Sequence, residues 1–241
     1  MAETLEGALL WVFSDPGEKV TLEEFHDWYD NEHIPLRMDN NLPEFLTGAR
    51  YESLIPQPPK WMAIYEVSSS SFFNDPKYTT LRANRSSREA ALVKNLGILD
   101  RRICGVKLAD TGSVRDTKGP APFLVIAALT PAQGTDADFE KWYKEEHIGM
   151  MAKIPGWRRT FRYKITDSLL SQTGKEDESG KAPQYVAIYE FEHLDPETFP
   201  KDEAFQQAIS TDWAKKTMGS LQAREMGFWK LYKDWPNTSK K

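Results

Sequence analysis

The chain has 241 residues, 40% of them hydrophobic and 12% aromatic, with a formal net charge of −5. That is enough apolar material for a packed core, and mixed charges without long runs of one sign argue against nucleic acid and anionic membranes as partners. A single cysteine, Cys104, excludes an internal disulfide and any CxxC motif; with no run near ~20 apolar residues and no basic cleavable leader, a cytoplasmic protein is expected.

Residues 9–13 form a short apolar run ended by Ser14-Asp15-Pro16-Gly17 and predict a strand. Thr21 with Glu24 three residues on is a capping box. Leu22, Phe25, Trp28 and Tyr29 then follow at helical spacing, with Pro35 near the expected helix end. Strands are predicted over 50–54 and 61–67, separated by a loop holding Pro56, Pro58 and Pro59. A helix over 76–95 and a closing strand over 103–108 complete the first set, and residues 114–122, with two prolines and Gly119, read as a linker.

A second set follows in the same order. Residues 123–127 predict a strand, Asp136 a helix N-cap and Gly149 the neighbourhood of that helix's end. An Arg162-Tyr163 strand leads into 166–183, rich in Ser, Gly and charge, where a mobile surface loop is expected. Then come a strand over 185–191, a helix over 202–219 and a strand over 226–232.

The parallel is one of sequence as well as order. Phe25-His26-Asp27-Trp28-Tyr29-Asp30-Asn31-Glu32-His33-Ile34 recurs as Phe139-Glu140-Lys141-Trp142-Tyr143-Lys144-Glu145-Glu146-His147-Ile148, 114 positions later (33 to 147). A long period occurring once indicates two copies of one folding unit. The expected organisation is a first repeat over 1–113, a linker over 114–122 and a second repeat over 123–241, each β-α-β-β-α-β, the α+β ferredoxin-like arrangement.

Trp-Tyr-x-x-Glu-His-Ile followed by a proline-containing segment and an Arg-Tyr strand resembles the EthD-like branch of the dimeric α+β barrel superfamily. The length and the phrases Leu36-Arg37-Met38 and Leu81-Arg82-Ala83-Asn84-Arg85 resemble fungal members of that group. The resemblance implies two ferredoxin-like sheets packed face to face, here as a pseudo-dimer within one chain, with a further homodimer still open. It also implies small-molecule pockets between sheet and helices, where a His with a Tyr performs proton transfer on polyketide-like or aromatic substrates. By motif position that role falls on His33 with Tyr29 and His147 with Tyr143.

The residues themselves leave alternatives open. Tyr and His at i, i+4 share a helix face, and an imidazole titrates near neutrality. A histidine near a helix C-terminus is equally at home capping carbonyls. Arg50 and Arg162 could clamp a substrate carboxylate or form ion pairs with Glu32 and Glu146. Arg82, Asn84 and Arg85 make a cationic stretch in the first half only, and with Arg50 and Tyr65 they are the candidate substrate-binding residues. His26, Asp30 and His33 are spaced for a metal, but Lys144 spoils the second copy. GxSxG, P-loop, GxGxxG and HExxH motifs are absent, and nothing in the sequence demands a cofactor. The leading expectation is a cofactor-independent lyase, isomerase or cyclase, with cofactor-free oxygenation also feasible. A non-catalytic ligand- or protein-binding barrel and a haem- or metal-binding monooxygenase-like protein are the alternatives.

Overall fold

The computed structural model describes residues 5–38, 42–112, 119–172, 175–176 and 181–236. Strand β1 (Ala8–Asp15) enters helix α1 (Leu22–Trp28), which widens into a π-helical turn (Tyr29–His33) and resumes as α2 (Pro35–Met38). Strands β2 (Phe45–Ser53) and β3 (Trp61–Val67) lead to helices α3 (Pro76–Ala83) and α4 (Ser87–Asn95) and strand β4 (Ile98–Gly112). The same order then runs through β5 (Phe123–Thr130), α5 (Asp136–Trp142), a second π turn (Tyr143–His147) and α6 (Ile148–Met151). It ends with β6 (Trp157–Gln172), the two-residue β7 (Lys175–Glu176), β8 (Tyr185–Phe191), α7 (Glu203–Ser210), α8 (Asp212–Gly219) and β9 (Ala223–Pro236).

Eight antiparallel strands follow one another as β4-β1-β3-β2-β9-β5-β8-β6, and β6 pairs with β4 to close a barrel. The seams between the halves are β2 with β9, from Thr47↔Pro236 to Ser53↔Trp229, and β4 with β6, from Ile98↔Gln172 to Gly112↔Arg159. Closure leaves none of these eight strands with an unpaired edge.

Strand alternation sorts the apolar side chains into three cores. Leu9, Trp11 and Phe13 point into the barrel, where they meet Tyr51, Met62, Cys104, Ile126, Tyr163 and Trp229. Leu10 and Val12 point outward, under Trp28 and Tyr29. Val125 and Ala127 do the same beneath Trp142 and Tyr143. Because the interior core draws on both halves, the barrel packs as one folding unit. Among the described residues no helix is long and apolar enough to cross a membrane.

The structure differs from the sequence reading in several places. The helices expected over 76–95 and 202–219 are each two, broken where Ser86 and Thr211 adopt extended backbone and cap the following helix through their hydroxyls. Residues 166–172, expected in a loop, continue β6 as a polar strand against β4. The remainder of that loop, apart from β7 and 181–183, and residues 114–118 of the linker lie outside the described residues. Pro35 starts α2 rather than ending the helix, its missing N–H falling in the first turn, where no partner is needed. Thr135, not Asp136, is the N-cap of α5; Asp136 instead accepts a hydrogen bond from Tyr185 Oη at 2.6 Å.

Candidate active site

The two π turns set the geometry. In the first, the Ile34 N–H donates to Tyr29 O at 3.0 Å, one residue beyond the α-helical register. The wider turn stacks residues five apart, so the rings of Trp28 and His33 are centred 4.5 Å apart, with Tyr29 edge-on to His33 at 5.3 Å. Proline does not cause it, since Gly149 stands at the matching place after the second π turn.

His33 borders a cavity of about 400 Å³ between the outer face of β1 and β3 and the helices. Its Nδ1–H donates to Glu89 Oε1 at 2.7 Å, and Glu89 is buried. Glu89 reaches this position through its helix cap. Its N–H donates to Ser86 Oγ at 2.9 Å, and the Ser86 hydroxyl donates to Glu32 Oε1. Glu32, the carboxylate of the Glu-His motif, thus anchors the N-terminus of α4, and α4 presents Glu89 to the histidine one residue further on.

Burial, assisted by Arg37, holds the His33 pKa down at about 3 against the pull of Glu89. Burial opposes the charge on Glu89, but the His33 hydrogen bond and the charges of His33, Arg37 and Arg85 outweigh it and keep its pKa below the ordinary carboxylate value. At neutral pH the pair is a neutral imidazole donating to a carboxylate, which leaves Nε2 as a proton acceptor. Nε2 finds no partner among the described residues. Three buried polar atoms of residues that line the same cavity also find none, Trp28 Nε1, Arg37 Nε and Tyr65 Oη, as does Glu89 Oε2 behind His33. Orphan groups gathered at one cavity are what a polar ligand would satisfy.

The wall is cationic. Arg37, Arg82, Arg85, Lys94 and Arg101 border it. Arg101 faces Asp167 at 3.4 Å, Arg85 is 4.0 Å from Glu89, and Arg82 and Lys94 have no carboxylate partner among the described residues.

Of the sequence-derived site residues, the structure brings together His33, Tyr29, Tyr65, Arg82 and Arg85. Asn84 caps the C-terminus of α3 and is exposed, away from the cavity. Arg50 is fully buried outside it, its guanidinium 4.1 Å from the Tyr29 ring centre and bonded to Asp30 (3.4 Å) and His26 Nδ1 (3.1 Å). It braces Tyr29 from behind and has no access to a substrate. The ion-pair reading of the repeated arginines therefore applies with other partners: Arg50 takes Asp30 rather than Glu32, and Arg162 takes Glu140 rather than Glu146, through two contacts of 2.8 Å. His26 and His33 are committed to Arg50 and Glu89, and among the described residues no three His, Cys, Asp or Glu side chains converge on a metal position.

His147 and Tyr143 border a separate cavity of about 370 Å³ in the second half. There Glu146 accepts from Thr211 Oγ1 at 2.6 Å, repeating the cap, but the residue three beyond the cap is Ala214. His147 Nδ1 lies 3.4 Å from Ala208 O instead. Sequence reasoning missed Glu89. Ser86-x-x-Glu89 is a legible capping box, but only the fold shows that its glutamate turns to His33.

No protein-family profile matches the sequence. The chain is 21% identical over 205 residues to core atranone cluster protein 1 of Stachybotrys chlorohalonatus, covering 81% of this chain and 86% of that one. It superposes on an anthrone oxidase-like protein with a TM-score of 0.60 at 10% identity, over 100% of this chain and 97% of the other. A haem-binding protein from Thermus thermophilus gives 0.51 at 14% identity, over 96% and 93%. The fold is that of the dimeric α+β barrels, which hosts a broad range of small-molecule proteins.

Proposed function

We propose that the protein is a cofactor-independent enzyme of lyase, isomerase or cyclase type, acting by proton transfer on an aromatic or polyketide-like molecule that carries an anionic group. The observation that carries the reading is His33, backed by Glu89, on the wall of a cavity with unmatched cations. His33 Nε2 removes a proton from a phenol or activated C–H, and Glu89 stabilises the imidazolium that forms. Tyr65 Oη, a neutral phenol because burial raises its pKa, donates to the developing oxyanion. Arg82, Arg85 and Lys94 hold the substrate's anionic end. The atranone-cluster relative and the anthrone oxidase-like neighbour fit such a substrate class, and the latter keeps open a variant in which the carbanion meets dioxygen. We also read the chain as a duplicated ferredoxin-like unit, 1–113 and 123–241, forming a pseudo-dimer.

Hydrogen exchange at the acidic methylene of anthrones, with and without a ring carboxylate, tests the proton step without knowledge of the full reaction. In D₂O, NMR should show exchange accelerated by the protein and slowed by about 10²- to 10⁴-fold in His33→Ala, with His147→Ala unaffected. Exchange that is indifferent to His33 sinks the proposal.

A further inference from the structure

The cavity of the second half occupies the position of the first but has a different chemistry. Its walls are Met151, Met218, Met226, Phe205, Ile209 and Phe228, and among the described residues no carboxylate borders it or bonds its histidine. Its polar groups are His147, Tyr143 and Tyr189 on the inner side and Gln206 and the exposed Arg224. A backbone carbonyl can only accept, so the contact of His147 Nδ1 with Ala208 O places the ring proton on Nδ1. Nε2 is then an acceptor, and it finds no partner among the described residues. Burial holds the His147 pKa at about 4 and raises those of Tyr143 and Tyr189, so all three groups are neutral at pH 7.

We infer that this second cavity is a binding site for a neutral hydroxylated aromatic molecule, held by its O–H on His147 Nε2, and that it performs no proton transfer. Three lines converge on that occupant. The volume suits a small ring system. Methionines and phenylalanines offer adaptable, polarisable contacts to a flat apolar body. With Ala214 where Glu89 stands in the other half, an imidazolium would have only the Ala208 carbonyl in its favour, against burial and the charge of Arg162, so His147 receives a hydrogen bond without taking the proton. A carboxylated ligand would find only the exposed Arg224 as a cationic partner, a solvent-screened pair that offsets little of the cost of bringing its charge against an apolar wall, and is selected against. The site does not depend on the reaction assigned to the first half.

The test is titration of the full chain with 2-naphthol and with 2-naphthoate by calorimetry, alongside NMR of the histidine ring nitrogens. His33→Ala, which removes the first site's acceptor, should still bind one 2-naphthol per chain, and 2-naphthoate should bind at least about tenfold more weakly. The His147 Nε2 resonance, assigned through His147→Gln, should move on binding. Ile209→Trp, which fills the second cavity, should abolish uptake when added to His33→Ala. Loss of 2-naphthol binding in His33→Ala, or undiminished binding in the folded double variant, overturns the inference. If the double variant does not fold, the nitrogen spectrum decides, and an unmoved His147 resonance is fatal.

Discussion

Glu89 and Ala214 each stand three residues after a capping hydroxyl, Ser86 and Thr211, and each cap is tied to the glutamate of a Glu-His motif. One side-chain difference between otherwise matched frames separates an imidazole with a carboxylate partner from one with a carbonyl. Glu89→Gln should therefore slow anthrone exchange by one to two orders of magnitude, roughly, while leaving His33 in place. Its dependence on His33 rather than on folding is checked by an unchanged near-UV spectrum. The converse change, Ala214→Glu, should raise the His147 pKa above about 4, read from its ring nitrogens in a pH titration. At this scale the sequence reveals Tyr29, His33 and the cationic stretch, because helix spacing and a difference between copies are both visible in one dimension. It conceals Arg50's position, because a strand arginine gives no sign of whether its head turns toward a cavity or toward Asp30 and His26.

The helix breaks at Ser86 and Thr211 belong to the scale of elements. Neither break contains a glycine or a proline, which is why the sequence predicts one helix in each place. The breaks matter because they orient α4 and α8 onto the motif glutamates. Ser86→Ala and Thr211→Ala should each cost about 0.5–2 kcal/mol in urea unfolding. Only Ser86→Ala should also slow exchange, since only its helix carries Glu89. The polar extension of β6 is illegible in the sequence for another reason. Residues 166–172 show no sustained apolar face, and their partner is β4, in the other half of the chain. Pairing that distant leaves no local trace.

For the whole molecule, closure by β2 with β9 and β4 with β6 predicts a monomer of 27.6 kDa, measurable by light scattering after size exclusion. A mass of twice that value at micromolar concentration would show that another surface pairs. Stability should also depend on acidity. His33 and His147 have folded pKa values of about 3 and about 4 against 6.5 when unfolded, so below pH 6.5 the unfolded chain binds protons that the fold refuses. The histidine contribution to the unfolding free energy should be flat above that pH and fall as pH drops toward 4. It is partly offset by Glu190, whose burial raises its folded pKa to about 7 and favours the fold as pH falls from there toward its unfolded value. His147→Gln should flatten part of the decline, and a slope identical to that of the parent would show that His147 is not buried in neutral form.

Both halves of the barrel lie on one polypeptide, and this has a consequence for inheritance. In a barrel assembled from two identical subunits, every codon change is expressed on both sides. A mutation that removed the acid at one pocket would remove it at the other. Here position 214 can hold alanine while position 89 keeps glutamate. Selection can act on either pocket alone, so one can retain a chemistry while the other drifts to a new occupant.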